Sequence, residues 1–222
     1  MPDPANSPPP FVGNGSLSEL EIDLFYEHSI VMLSNMLKAR DPVTHSHCQR
    51  VSDNARQIAE HLNLPQLTVE HIADSALIHD IGKLALSLED LHKAEPLSAL
   101  EYEQFKSHTT NGKWILEHIR FLHPLIGGVY HHHERWDGGG YPLGLAGNAI
   151  PLMARIIAVA DAFDAITSQR AYQSAQSIEY GLEELASCSG TQFDPQIVDA
   201  FLIVMQERVP PRSRMQLVAL ER

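Results

Sequence analysis

The sequence predicts an all-α protein. Three observations carry that expectation. Apolar residues recur at helical spacing, capping residues and prolines cut the chain into segments of helical length, and no stretch reads as a convincing alternating strand. At 222 residues and 44% hydrophobic content, the chain suits one domain, or one domain plus a tail or small helical extension. A body of that size buries roughly 70% of its unfolded surface and needs no staples to fold. There is no internal repeat.

Residues 1–15, rich in Pro, Gly, Asn and Ser and containing Pro8-Pro9-Pro10, read as a disordered or polyproline-like lead-in. Ser16 followed by Glu19 forms a capping-box pattern that opens a first helix through Leu20, Ile22, Leu24, Phe25, Ile30, Met32, Leu33 and Met36. That helix is apolar around much of its girth, so it is expected to be packed or to form a dimer interface. Asp41-Pro42 ends it. A second helix is expected from about Thr44 to Leu62 and a third from about Thr68 to Asp80. An irregular stretch follows from Ile81 to Pro96, then a helix over about Ser98–Ile119 and a helical piece over Pro124–His132. Residues 134–150, with Gly138-Gly139-Gly140 and Pro142, mark a long structured loop, which in a compact domain is more often functional than idle. Further helices are expected over Pro151–Thr167, Ser177–Ser187 and Pro195–Arg208, leaving an ambiguous tail from Pro210.

The formal charge of −12, from 28 acidic and 16 basic residues, argues against broad binding to duplex nucleic acid or an anionic membrane surface. A small anionic ligand stays open, because bound cations can reverse the field inside one cleft. Two cysteines, Cys48 and Cys188, are too few for a disulfide framework and lack metal-ligand spacing, which favours a reduced, cytoplasmic setting. Neither a secretory signal nor a membrane-length apolar run is expected. Thirteen histidines are an excess.

Those histidines sit in telling places. His79-Asp80 closes a small, apolar helical segment; taken alone, it reads as a core histidine beside a capping aspartate. His131-His132-His133-Glu134 opens directly into Arg135-Trp136-Asp137-Gly138-Gly139-Gly140-Tyr141-Pro142, a context that favours a site over a solvated histidine tract. Asp161 lies in Ile156-Ile157-Ala158-Val159-Ala160-Asp161-Ala162-Phe163-Asp164, where a bare carboxylate is too costly to bury. It needs a metal, a buried arginine or a helix end to cap. His47 and His108 sit early on predicted helices. Together, His47, His79, His108, His132 and His133 with Asp80 and Asp161 supply enough ligands for two ions if one carboxylate bridges. Imidazole with carboxylate suits Fe, Mn, Zn or Ni better than Ca or Mg.

At these positions the sequence resembles the HD-GYP family of the HD phosphohydrolase superfamily. The resemblance is carried by His79-Asp80-Ile81-Gly82-Lys83 and by His132-His133-Glu134-Arg135-Trp136-Asp137-Gly138-Gly139-Gly140-Tyr141-Pro142. Arg40 to His47, Ala158 to Asp164 and Gly190-Thr191-Gln192-Phe193-Asp194-Pro195 agree as well. It spans about Ala39 to Phe201. It divides the chain into the lead-in (1–15), an N-terminal helix (16–38), a catalytic domain (39–208) and a tail (209–222).

The resemblance implies a helical bundle around a two- or three-metal centre that hydrolyses cyclic di-GMP, with pGpG as the expected first product and continuation to GMP left open. By position it gives His47, His79, Asp80 and Asp161 to one divalent ion. Asp80, His108, His132 and His133 go to the other, with Asp80 bridging and Fe or Mn favoured over Ni or Zn. Lys83 corresponds to a phosphate-contacting lysine, Arg170 to a phosphate- or guanine-side arginine, and Tyr141 to the loop that shapes the substrate pocket and engages partners. Where trimetallic members carry a glutamate this chain has Val43, which predicts two ions. Arg170-Ala171-Tyr172-Gln173 lacks a second cation that the family carries there.

Two alternatives compete. One is a catalytically weak adaptor that docks a diguanylate cyclase or another signalling protein through the glycine loop. The other is a hydrolase of a different cyclic dinucleotide. The first helix is the expected surface for a homodimer. His28, His45, His61, His71, His92, His118, His123 and His131 read as solvated or structural. Glu134 and Asp137 are expected to brace the glycine loop or to orient a ligand, and Trp136 to pack within it.

Overall fold

In the structure, a computed structural model, residues 18–87, 93, 98–169 and 175–208 are described. The 1–15 lead-in, the tail from residue 209, His92 and the Arg170–Gln173 stretch lie outside them.

Among the described residues every regular element is helical, with only an isolated parallel bridge between Ser189 and Phe193. Helix α1 spans Glu19–Arg40, α2 Pro42–His61, α3 Gln66–Leu77, α4 Ala99–Glu117, α5 Ile126–His131, α6 Leu152–Thr167, α7 Ile178–Ser187 and α8 Pro195–Arg208. Short 3₁₀ turns cover Ile81–Ala85, Arg120–Leu125 and Gly147–Ala149.

Local chemistry sets most boundaries. The sequence Ser16-Leu17-Ser18-Glu19-Leu20-Glu21 holds two overlapping capping boxes; Ser16 lies outside the described residues, and Ser18 with Glu21 caps the helix that begins at Glu19. Asp41 closes α1 and caps α2: its carboxylate accepts from the N–H groups of Val43 and Thr44, and Pro42 takes the first-turn position where no N–H is needed. The second helix therefore begins at Pro42 rather than Thr44. A capping box of Ser98 with Glu101 starts α4.

Helix α3 ends at Leu77, three residues short of the expected Asp80. Two apolar clusters hold the bundle together. One joins α2, α3, α6, α7 and α8 through residues such as Ile58, Ile72, Ile157, Leu185 and Phe201. The other joins α1, α4, α5 and the first two 3₁₀ turns through Leu37, Ile81, Leu116, Leu122 and Val129. Helix α2 feeds both, with Val51 in the first and Cys48 in the second, and His47 lies beside that junction.

Helix α1 buries only Ile30, Leu33, Ser34 and Leu37, leaving Leu24, Phe25, Val31, Met32 and Met36 exposed. Of the eight apolar residues that mark this helix in the sequence, only Ile30 and Leu33 are buried.

Candidate metal centre

Five imidazoles and two carboxylates from five parts of the chain converge. His47 comes from α2, His79 and Asp80 from the turn after α3, and His108 from α4. His132 and His133 follow α5, and Asp161 lies on α6. Nitrogen and oxygen atoms of His47, His79 and Asp80 lie within 4.8 Å of one another, as do those of His108, His132 and His133. Asp80 faces both groups, with His79 Nε2 at 3.5 Å from Oδ2 and His108 Nε2 at 3.6 Å from Oδ1. Asp161 Oδ1 stands 3.0 Å from His47 Nε2.

Early truncation of α3 serves this geometry. With the chain turning at Ile78, His79 Nδ1 reaches the carbonyl oxygen of Ala76 at 2.7 Å. The same contact three residues back recurs twice more: His108 Nδ1 to Phe105 O at 2.6 Å and His132 Nδ1 to Val129 O at 2.9 Å. A carbonyl only accepts, so each Nδ1 carries the proton and each Nε2 presents a lone pair to the centre. His47 is oriented differently, through Nδ1 at 2.6 Å from Asp164 Oδ2. Arg50 holds the same carboxylate through Nε and Nη2, and Ser168 donates to its Oδ1.

One contact tests whether the residues fit a cation. Nε2 of His108 and Nε2 of His132 face each other at 3.2 Å. With both Nδ1 atoms committed to carbonyls, two lone pairs oppose one another in a buried site, an arrangement that a shared cation resolves. Burial lowers both imidazoles, His108 to about 3, and it lowers His133 to about 4, so all three are neutral at pH 7. His47 goes the other way: burial opposes its charge, but Asp161 and Asp164 raise it to about 9. Asp80 is driven well down, because Lys83 and the surrounding histidines outweigh the burial that would raise it. Buried imidazoles with lone pairs turned inward and ionised carboxylates among them form a donor set that fits a divalent metal centre.

Lys83 Nζ sits 2.6 Å from Asp80 Oδ2, and Asp80 keeps it protonated against its burial. Gly82 lets the 3₁₀ turn pack directly on α4: a Cβ there would overlap the carbonyl oxygen of His108 and the backbone nitrogen of Gly112. Tyr141 stacks on His133, with ring centroids 4.8 Å apart, while Lys106 lies over the tyrosine ring.

The glycine loop is pinned from beneath. Glu134 is buried, and its two oxygens accept from the N–H groups of Leu143 and Leu145 at 2.8 and 3.0 Å. Asp137 accepts from Gly139 N–H and from Arg135. Trp136 N–H and Asp137 N–H donate to the carbonyls of Gln192 and Thr191, and Arg155 packs over Trp136. Bracing by Glu134 and Asp137, and loop packing by Trp136, match what their sequence context predicts.

All seven expected ligands are thus neighbours, and Lys83 and Tyr141 adjoin them; Arg170 lies outside the described residues. Sequence reasoning gave Asp164 no role of its own, nor Arg50, nor the three backbone carbonyls. His45, expected to be structural, is buried against Ser34 at 3.1 Å, and His28, His118 and His123 are exposed. Val43 is exposed.

Fold and site define an all-helical protein with a buried histidine–aspartate centre. The chain belongs to the HD domain family, whose pattern matches residues 31–197. It is 38% identical over 188 residues to a cyclic di-GMP phosphodiesterase of Thermotoga maritima, covering 83% of this chain and 50% of that one. It is 34% identical over 185 residues to 3'3'-cGAMP-specific phosphodiesterase 2 of Vibrio cholerae, covering 82% of this chain and 35% of that one. The chain therefore spans about half the length, or less, of these relatives. In fold it is similar to Bd1817, an HDG"Y"P protein from Bdellovibrio bacteriovorus, with a TM-score of 0.63 at 18% identity over 75% of this chain and 53% of that one. Among the described residues no helix is long and apolar enough to cross a membrane.

Proposed function

We propose that the chain is a metal-dependent phosphodiesterase that opens a cyclic dinucleotide, cyclic di-GMP first, to its linear form. The observation that carries this reading is the facing pair of imidazole lone pairs beside Asp80, built from helices far apart in sequence. Relatives named as cyclic di-GMP and 3'3'-cGAMP phosphodiesterases support the substrate class.

His47, His79, Asp80 and Asp161 would hold one ion and Asp80, His108, His132 and His133 the other, with Fe or Mn favoured. When bound, such a pair supplies Lewis acidity and lowers the pKa of water, the chemistry that phosphodiester cleavage requires. Protein groups do the rest. The Nδ1 contacts of His47, His79, His108 and His132 fix those imidazoles so that no reorientation is needed when substrate arrives. Lys83 holds a proton on Nζ at the edge of the centre and offsets charge growing on the phosphoryl oxygens. Tyr141, propped by Lys106, shields His133 from solvent and limits how the phosphate can approach. Water adds across one phosphorus–O3' bond, releasing a 3'-hydroxyl and a 5'-phosphate end: pGpG from cyclic di-GMP.

The exposed apolar side of α1 is the surface we assign to a homodimer, since Leu24, Phe25, Val31, Met32 and Met36 lie in water otherwise.

The test is a substrate panel. Metal-loaded protein is incubated with cyclic di-GMP, 3'3'-cGAMP and cyclic di-AMP, and products are separated by chromatography. Conversion of cyclic di-GMP to pGpG is expected. A fully metal-loaded protein that cleaves none of the three contradicts the reading.

A further inference from the structure

A cavity of about 410 Å³ adjoins the centre, with His132, His133 and Asp161 among its lining residues. Its floor is the face of α6 on which Ala158, Ala162 and Ala165 flank Asp161 at helical spacing. Methyl side chains leave room for a flat group beside the carboxylate, and Phe193 adds an apolar wall. Ile166, Tyr180 and Cys188 line it as well, and Arg135, Gln192 and, from α7, Glu184 supply polar groups.

The polar groups have a defined sense. Arg135 Nη1 donates to Gln192 Oε1 at 3.1 Å, and Arg135 is itself clamped by Asp137 through Nε and Nη2. A guanidinium has only donors, so the oxygen of the carboxamide must face it and the NH₂ group must face elsewhere. Gln192 lines the cavity, so its NH₂ is the group it has left to offer a ligand there, and Glu184 offers a carboxylate acceptor on an exposed side chain whose Oε1 also takes the Cys188 thiol at 3.9 Å. Guanine presents the complement on its Watson–Crick edge: an O6 acceptor beside N1–H and N2–H donors. Adenine presents an N6 donor beside the N1 acceptor, which would set its lone pair against a carboxylate.

We propose that this cavity is a guanine-selecting base pocket, in which Glu184 accepts from N1–H and N2–H and Gln192 donates to O6. The proposal rests on the cyclic dinucleotide reading above and adds what selects the base. One base of the substrate lies over the alanine face of α6 while its phosphate reaches the centre past Asp161. Arg135 acts as a positioning residue, holding the carboxamide of Gln192 in its donor-outward orientation.

The experiment measures kcat/KM for cyclic di-GMP and for cyclic di-AMP with metal-loaded wild type, Glu184→Ala and Glu184→Gln. Wild type should prefer the guanine substrate, and Glu184→Ala should shrink that ratio on the order of 10-fold or more, the scale of a bidentate base contact. Glu184→Gln, which retains one acceptor oxygen, should fall between. Glu184 is exposed on α7, so these variants should fold, and the ratio corrects for any loss of active protein. A wild type with no base preference, or a preference unchanged in Glu184→Ala, overturns the proposal. If wild type cleaves neither substrate, the phosphodiesterase reading fails by itself and equilibrium dialysis with GMP and AMP reads the pocket. Retention of GMP over AMP that weakens in Glu184→Ala then supports the pocket, and equal retention overturns it.

Discussion

His47 and Asp164, 117 residues apart, are joined at 2.6 Å, with the imidazole Nδ1 donating to the carboxylate while Nε2 faces Asp161. The bond ties α2 to α6 at the centre, and Arg50 completes it from one turn further along α2. Burial would raise Asp164, but hydrogen bonds from His47 and Arg50 hold it at about 2.

Asp164→Asn keeps an acceptor for His47 but removes the charge that Arg50 and His47 share. Metal affinity should fall about 10–100-fold, the usual cost of losing a partner behind a ligand. Competition against a chelator measures it, and unchanged affinity would contradict the role. Because the folded pKa is depressed, Asp164 contributes stability that is present above about pH 3.8 and lost as pH falls toward 2. Metal-free wild type should therefore lose stability more steeply than metal-free Asp164→Asn across that window, as followed by circular dichroism.

Gly82→Ala should be strongly destabilising, because a single Cβ there meets the backbone at His108 and Gly112, not a flexible side-chain end. Overpacking of this kind costs about 3 kcal/mol, which for a chain of this size lowers Tm by roughly 6 °C or more. Differential scanning calorimetry decides it. A Tm within a degree of wild type would mean that the 3₁₀ turn and α4 are not so closely apposed.

Glu134→Ala should release the glycine loop without unfolding the bundle. Two backbone N–H groups, of Leu143 and Leu145, lose their acceptor, at roughly 1–3 kcal/mol if neither finds another. Limited proteolysis should then cut between residues 138 and 147 while the rest of the chain resists. Digestion identical to wild type would remove Glu134 as the loop's anchor.

Much of the fold and the centre is legible in the amino-acid sequence, and for a physical reason. Metal ligands and glycine turns demand particular residue types, so His79-Asp80, His132-His133 and the Gly138–Pro142 segment stand out by residue type alone. Helix boundaries marked by Ser98, Asp41-Pro42 and Pro195 are readable because caps and prolines act locally. What escapes acts across the fold or through the backbone. Asp164 gains its role only when α6 packs on α2, and the carbonyls of Ala76, Phe105 and Val129 belong to residue types that carry no signal. The early end of α3 at Leu77 is hidden because Ile78, His79 and Asp80 continue the helical pattern while the chain tightens into a 3₁₀ turn. Two capping boxes in one hexapeptide leave the start of α1 ambiguous by two residues.

Asp80 is the side chain that both groups of ligands share, so a two-ion centre depends on it. Metal content and cyclic dinucleotide hydrolysis measured together on wild type and Asp80→Ala test it most directly. Wild type should carry about two divalent ions per chain, and the variant should lose both metal and turnover. Full hydrolysis by Asp80→Ala would contradict it.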